Sequence, residues 1–390
     1  MEYRTDEKTG NRLSALGYGC MRLPFTVTGI DMKKSEKLLM RAIEGGVNYL
    51  DTAYLYPGSE AAVGSILAAN GARDSVYLAT KLPIANCRKA EDFDRFFAIQ
   101  LERLRTPHID YYLMHNINTL DQWQALCALG IEDWIARQRD SGAVRQVGFS
   151  FHGTRDEFLA VLDAYDWDFC QLQYNYSDEN AQAGVTGLKR AAARGMPVII
   201  MEPLLGGKLA TGLPKRATDV FAQLEPERSP AAWALRWLWD QPEVTVVLSG
   251  MGQEAQLEDN LRATDGAVPG ALTDAERAAY PRAMEIFRAT DKVPCTGCGY
   301  CLPCPQGVNI PGCFSAYNAS YSMGRVTGWQ QYITGTAANR QGHASASRCV
   351  QCGQCKPRCP QSIAIPERLK EVEGRMEPFY FKWLMGALRR

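Results

Sequence analysis

The sequence predicts an α/β protein, a (β/α)8 TIM barrel followed by a small, mainly helical domain rich in cysteine. Three observations carry this expectation. Eight short apolar runs alternate with longer amphipathic stretches from the N-terminus onward. Nine of the thirteen cysteines crowd between Cys295 and Cys359. The 390 residues also leave room for an appendage beside a barrel of roughly 250 residues. The expected domains are residues 1–288 for the barrel, 289–368 for the cysteine domain and 369–390 for a helical tail, with the composition changing near Asp291 to Pro294.

Taken in order, the strand candidates are Leu13–Met21, Val47–Ala53, Ser75–Lys81, Ile109–His115, Val144–Ser150, Phe169–Asn175, Pro197–Pro203 and Val244–Gly250. The helix candidates between them are Met32–Glu44, Glu60–Ala69, Ala90–Leu104, Ile131–Asp140, Asp156–Ala164, Gly187–Arg194, Pro230–Trp239 and Ala255–Ala263. Ser59 can cap the second helix, and Gly142 and Gly195 stand where the fourth and sixth should stop. A doubly wound open sheet is the competing architecture. It would normally carry a Gly-rich dinucleotide fingerprint after its first strand, and LGYGCMRLPF lacks that spacing.

Lys plus Arg (43) equals Asp plus Glu (43), so no global field favours nucleic acid or an anionic membrane. Small neutral substrates fit this balance. The opening MEYRTDEKTGNR is charged, and no segment reaches the apolar length of a membrane span, so a cytoplasmic protein is expected. In a reducing compartment, thirteen cysteines point to metal or cluster ligation rather than to disulfides.

Reactive groups of such a barrel belong at the C-terminal ends of its strands. Asp51 and Tyr56 follow the second strand in DTAYLY, Lys81 ends the third in YLATK, and His115 ends the fourth in YYLMH. Each alone has a plain structural explanation: a turn cap, a packed ring, a snorkelling lysine, a core histidine. Together, and with YRTDEKTGNRLSALGYGCMRLP, RLRTPHIDYYLMH and GFSFH, they resemble the aldo/keto reductase family over roughly Tyr3 to Thr264.

The resemblance implies a carbonyl reductase, working in either direction, with Tyr56 as the general acid. A free phenol titrates near pH 10, so it donates poorly at neutral pH unless a cation stabilises its phenolate. Lys81 would supply that charge, Asp51 would hold Lys81, and His115 would orient the substrate carbonyl. NAD(P)H is the implied cofactor. Cys20 and Met21 fall on its path after the first strand, and Ser150 and Gln171 at its carboxamide. Met201 stands at the nicotinamide face, where many members have tyrosine. Leu204, Gly206 and Gly207 would face the pyrophosphate. Ser249, Gly250, Met251, Asp259 and Asn260 lie in the adenosine stretch SGMGQEAQLEDN, which carries no basic residue for a 2′-phosphate, so NADH is as acceptable as NADPH. Tyr54, Trp123, Phe151 and Trp167 are either pocket aromatics or barrel packing.

Cys295, Cys298, Cys301 and Cys304 form C-x2-C-x2-C-x2-C-P, and Cys349, Cys352, Cys355 and Cys359 form C-x2-C-x2-C-x3-C-P. The second is the bacterial ferredoxin pattern, in which three close thiolates hold one 4Fe-4S cluster and the fourth holds another. On that crossed scheme one cluster takes Cys295, Cys298, Cys301 and Cys359, and the other takes Cys349, Cys352, Cys355 and Cys304. The first run is one residue short before Cys304, which leaves Cys313 as a substitute ligand or a buried small residue. Structural zinc is the competing reading. The helical-looking YNASYSMGR and WQQYITG between the runs suit an α-helical ferredoxin-like domain, and the amphipathic tail FYFKWLMGALRR suits a docked helix.

The two halves transfer electrons differently, since nicotinamide passes a pair and a cluster passes one. The clusters are therefore structural or redox-sensing, or they serve a partner protein or a flavin. An inactive barrel acting as a redox-sensing binding protein is the further alternative.

Overall fold

The computed structural model describes residues 1–337, 344–379 and 381. Its contacts divide the chain into two compact units. The first comprises Met1–Leu204 and Ala231–Thr273, and the second comprises Leu205–Pro230 and the described residues from Asp274 onward.

The first unit is a closed parallel barrel of eight strands. These are β1 (Leu16–Gly19), β2 (Tyr49–Asp51), β3 (Tyr77–Leu82), β4 (Ile109–Met114), β5 (Val144–Phe151), β6 (Phe169–Gln173), β7 (Val198–Met201) and β8 (Val246–Ser249), with β8 pairing back to β1. All eight lie within or overlap the sequence candidates, mostly shorter. The Leu13–Met21 candidate divides in two: Arg12–Ser14 pairs antiparallel with Tyr3–Thr5, while Leu16–Gly19 enters the barrel. A 3-10 turn, Cys20–Arg22, follows.

The helices between strands are α1 (Met32–Glu44), α2 (Ser59–Ala69), α3 (Glu91–Leu104), α4 (Leu120–Ala128), α5 (Ile131–Asp140), α6 (Arg155–Asp163) and α7 (Gly184–Ala192). α4 was not among the sequence candidates; Thr119 caps it by accepting from Gln122 N. Ser59 is not a cap, contrary to expectation. It is the first helical residue, and its Oγ donates to Cys20 O at 2.9 Å, tying α2 to the turn after β1. Gly142 and Gly195 do follow α5 and α7, at φ 73° and 69°.

Tyr49, Tyr111, Leu113, Phe169, Ile199 and Val246 are buried together inside the barrel. Tyr111 OH donates to Asp6 Oδ2 at 3.0 Å and accepts from Asn11 Nδ2 at 3.1 Å, so the N-terminal hairpin covers the end where the strands begin. The opposite end is left for chemistry.

The second unit differs from the expected division near residue 291. In the segment after β7 it takes α8 (Lys208–Thr211) and α9 (Lys215–Ala222), and it also takes α12 (Asp274–Thr290). Phe221 of α9 meets Tyr280 of α12 edge to face at 5.3 Å, and Arg228 pairs with Glu276. These are long-range contacts invisible to local patterning. α10 (Pro230–Trp239) and α11 (Glu254–Ala263) complete the barrel repeats. α13 (Ile310–Ser322) and α14 (Arg325–Ala337) realise the helical stretches expected between the cysteine runs. With α15 (Ile365–Met376) they enclose a core of Ile310, Phe314, Tyr317, Tyr332, Leu369 and Val372. The stretch FYFKWLMGALRR lies almost wholly outside the described residues.

Candidate active site and cluster cavities

Parallel strands bring their C-terminal ends to one face, and the expected catalytic residues sit there. Asp51 ends β2, Lys81 is the penultimate residue of β3, and His115 follows β4. Lys81 Nζ donates to Asp51 Oδ1 at 2.6 Å and to Thr52 O at 2.7 Å, and it lies 5.1 Å from the centre of the Tyr56 ring. The rings of Tyr56 and His115 stand edge to face at 6.0 Å. The four side chains therefore form one cluster.

Burial pushes the Lys81 ammonium down and the Asp51 carboxyl up from their ordinary values, and each opposes the shift of the other. His115 is held well below the ordinary histidine range by burial, then by the Lys81 charge and by His152. It is a neutral imidazole at pH 7, and its Nδ1 has no partner among the described residues. Burial likewise pushes the Cys20 thiol up, so Cys20 is an uncharged neighbour of this pair rather than a nucleophile.

A second layer went unread in the sequence. Buried Glu60 accepts from Thr80 Oγ1 at 2.7 Å, from Gln100 Nε2 at 2.8 Å and from Arg103 at 3.1 Å. Gln100 Nε2 also donates to Lys81 O at 3.0 Å, and its Oε1 accepts from Tyr112 OH at 2.7 Å. This network fixes the strand that carries Lys81. Only the polar character of Glu60 and Gln100 on otherwise apolar helix faces could have signalled it.

The expected carboxamide residues are neighbours by register, since Ser150 of β5 pairs with Gln171 of β6. Ser150 Oγ accepts from Asn116 N at 2.8 Å, which leaves its hydroxyl proton to donate. Gln171 Nε2 contacts Met201 Sδ at 3.6 Å, and its buried Oε1 has no partner among the described residues. An orphaned buried acceptor beside a free hydroxyl donor fits an amide, which offers both complements. Asn260 is buried and donates to Ser249 Oγ at 2.9 Å, while Tyr18 OH donates to Met251 O at 2.5 Å. Asp259 pairs with Arg262 at 3.6 Å. Gly250 and Gly252 pack on Arg22, a basic residue that the local stretch lacks and that arrives from the turn holding Cys20 and Met21.

Leu204 closes the first segment of the barrel unit, while Gly206 and Gly207 belong to the second unit. There the need for glycine at 206 has its own cause: φ is 68°, and a Cβ would lie 2.1 Å from Thr296 O. The aromatics resolve as packing. Trp123 and Trp167 meet at 4.7 Å, Phe151 packs on Phe158, and Tyr54 lies against Phe96 and Arg103.

In the second unit the cysteines surround two cavities. Cys295, Cys298, Cys301 and Cys359 line one, and Cys304, Cys349, Cys352 and Cys355, together with Cys301, line the other. These are the two crossed sets. Cysteine sulfurs ringing a void suit a cubane. Cys313 lines neither cavity; it is fully buried with its Sγ 3.8 Å from Ala344 O.

Comparison with known proteins agrees with both halves. Residues 15–269 match the aldo/keto reductase family, and residues 294–364 match a 4Fe-4S dicluster domain. An uncharacterized oxidoreductase, YrpG, of Bacillus subtilis is 28% identical over 308 residues, covering 68% of this chain and 91% of that protein. A 6-dehydroglucose reductase of Novosphingobium aromaticivorans is 28% identical over 276 residues, 65% of this chain and 88% of that protein. An aldo-keto reductase of Bacillus halodurans, solved in holo form, superimposes with a TM-score of 0.60 at 25% identity, covering 73% of this chain and 96% of its own. The fold is shared also by a Klebsiella pneumoniae aldo/keto reductase in complex with NADP and acetate, with a TM-score of 0.58 at 22% identity and coverage of 72% and 94%. No described helix is long and apolar enough to cross a membrane. With its barrel, its end-of-strand residues and its cysteine domain, the chain belongs to the aldo/keto reductase family and is a carbonyl-acting oxidoreductase with a C-terminal 4Fe-4S domain.

Proposed function

We propose that the chain reduces an aldehyde or ketone with NAD(P)H, or runs the reverse oxidation, through Tyr56, Lys81, Asp51 and His115. The observation that carries this reading is the buried Lys81 ammonium, held by Asp51 at 2.6 Å beneath the ring of Tyr56. A reduced nicotinamide, when bound, would supply a hydride to the carbonyl carbon. The residues of the chain supply the rest.

Tyr56 donates its phenolic proton to the carbonyl oxygen as negative charge develops there. Lys81 stabilises the phenolate left behind, and in a dry site that charge acts at low dielectric. Neutral His115 can donate one hydrogen bond to the same oxygen without competing for the proton. Ser150 and Gln171 would orient the nicotinamide amide, with Met201 at its face and Ser249, Met251 and Asn260 toward the adenosine. The buried acceptor of Gln171 supports this assignment.

The cysteine domain would hold two 4Fe-4S clusters in the crossed arrangement, supported by the two cavity linings. Its electrons would pass singly to a partner protein, or the clusters would serve structure and sensing. The substrate is a small carbonyl compound.

The test is turnover by anaerobically purified chain on a panel of aldehydes, ketones and oxidised sugars with each nicotinamide. Tyr56→Phe should abolish reduction while leaving nicotinamide binding within a few fold. Undiminished turnover in that variant would refute the acid. Bleaching of cluster absorbance on adding NAD(P)H without flavin would eliminate a purely structural role for the clusters.

A further inference from the structure

Lys208, at the head of α8, is the cationic centre of a buried polar network in the second unit. Its Nζ donates to Asp291 Oδ1 at 2.6 Å and to Val293 O at 2.9 Å. Asn318, from α13, donates through Nδ2 to the same two acceptors at 2.6 and 2.7 Å, and its Oδ1 accepts from Val293 N at 2.9 Å. Val293 O accepts a third bond, from Cys295 N at 2.8 Å. One carbonyl thus joins an ammonium to the backbone of a cluster-cavity cysteine.

The network is largely shielded from solvent. The side chains of Lys208 and Asp291 are 18% and 8% exposed, and Asn318 is 8% exposed. Two residues before Lys208, Gly206 packs against Thr296 O, so the segments flanking Cys295 and Lys208 touch at two places. If the need were only to staple these segments together, apolar side chains of similar volume would do so without desolvating a charge. A retained, largely shielded cation therefore calls for a reason beyond packing.

We infer that Lys208 is a positioning residue for electron transfer: its partly shielded charge raises the reduction potential of the cluster held by Cys295, Cys298, Cys301 and Cys359. The inference rests on the reading of that cavity as a 4Fe-4S site. Reduction adds one negative charge to a cluster, and a cation nearby at low dielectric favours the reduced state. Lys208, Asp291 and Asn318 line neither cavity; what ties them to the first is the carbonyl of Val293, which Lys208 Nζ, Asn318 Nδ2 and Cys295 N all share. The two clusters would differ in potential, and the one beside Lys208 would be the electron acceptor of the pair.

The test is a mediated redox titration, followed by electron paramagnetic resonance, of the full chain purified anaerobically. In Lys208→Met one cluster midpoint should move to a more negative potential while the other stays. Lys208→Arg should keep the original value. Asp291→Asn, which removes the compensating carboxylate with little change of shape, should move the same midpoint in the positive direction. Opposite signs in the two variants identify an electrostatic role. Iron-replete variants with unmoved midpoints would overturn it, as would shifts of the same sign in both, or loss of iron from Lys208→Arg and Asp291→Asn alike, which would mark a mere staple. A wild-type chain that binds no iron would instead overturn the cluster reading on which the inference stands.

Discussion

Lys81 Nζ lies 2.6 Å from Asp51 Oδ1, with side chains only 1% and 5% exposed, so two neighbouring strands of the barrel share a buried ion pair directly beside Tyr56. Such a pair contributes little net stability when intact, because desolvation offsets attraction, but it is costly to break. Its value is positional.

Asp51→Asn leaves the ammonium without its carboxylate. The variant should lose about 3–5 kcal/mol of stability in denaturant titrations and at least about 100-fold in kcat. Nicotinamide affinity should change little, because Asp51 is not at the carboxamide corner of Ser150 and Gln171. A variant with full turnover would remove the Lys81–Asp51 pair from the mechanism.

Stability should fall on acidification below the ordinary histidine range. Burial lowers His115 well below 6.5 and His152 to about 4. Below pH 6.5 the unfolded chain takes up protons that the folded barrel refuses, so unfolding becomes more favourable as pH drops toward 4. The limiting slope is about 1.4 kcal/mol per pH unit for each histidine. Urea midpoints measured from pH 7 to 5 should decline less steeply in His152→Gln, and equal slopes would contradict the buried neutral state.

Iron content should separate the two cysteines that the sequence left ambiguous. Cys304 lines a cluster cavity and Cys313 lies in the apolar core. Iron analysis of the wild type should approach about eight per chain, and Cys304→Ser should bring it toward about four. Cys313→Ser should retain the full complement. The reverse pattern would exchange their roles.

Gly206→Ala places a methyl 2.1 Å from Thr296 O at a φ of 68°. Backbone cannot yield as a side-chain tip does, so several kcal/mol of destabilisation are expected, above the roughly 1 kcal/mol of a left-handed residue alone. Because Thr296 adjoins Cys295, the variant should also lose iron faster to a chelator. Unchanged chelation kinetics would mean that this contact does not brace the cysteine loop.

Much of this was legible in the chain itself. Alternating apolar and amphipathic runs mark eight strands because a parallel barrel buries each strand on both faces and each helix on one. DTAYLY, YLATK and YYLMH place Asp51, Tyr56, Lys81 and His115 at strand ends, and the closed topology then brings strand ends together. Cysteine spacing encodes local loop geometry, so both crossed ligand sets could be written down before any coordinates.

What the tertiary structure decided depends on contacts between residues far apart in sequence. That Glu60 and Gln100 brace Lys81, that Trp123 and Trp167 pack on each other rather than wait for substrate, and that Ser59 ties α2 to the first strand's turn all arise from packing across elements. The assignment of Leu205–Pro230 to the cysteine unit is the clearest case. Local patterns report which face of an element is apolar, and only the folded chain determines which other face covers it. The local pattern around Lys208 says nothing of Asp291 and Val293, which only the fold brings to its ammonium.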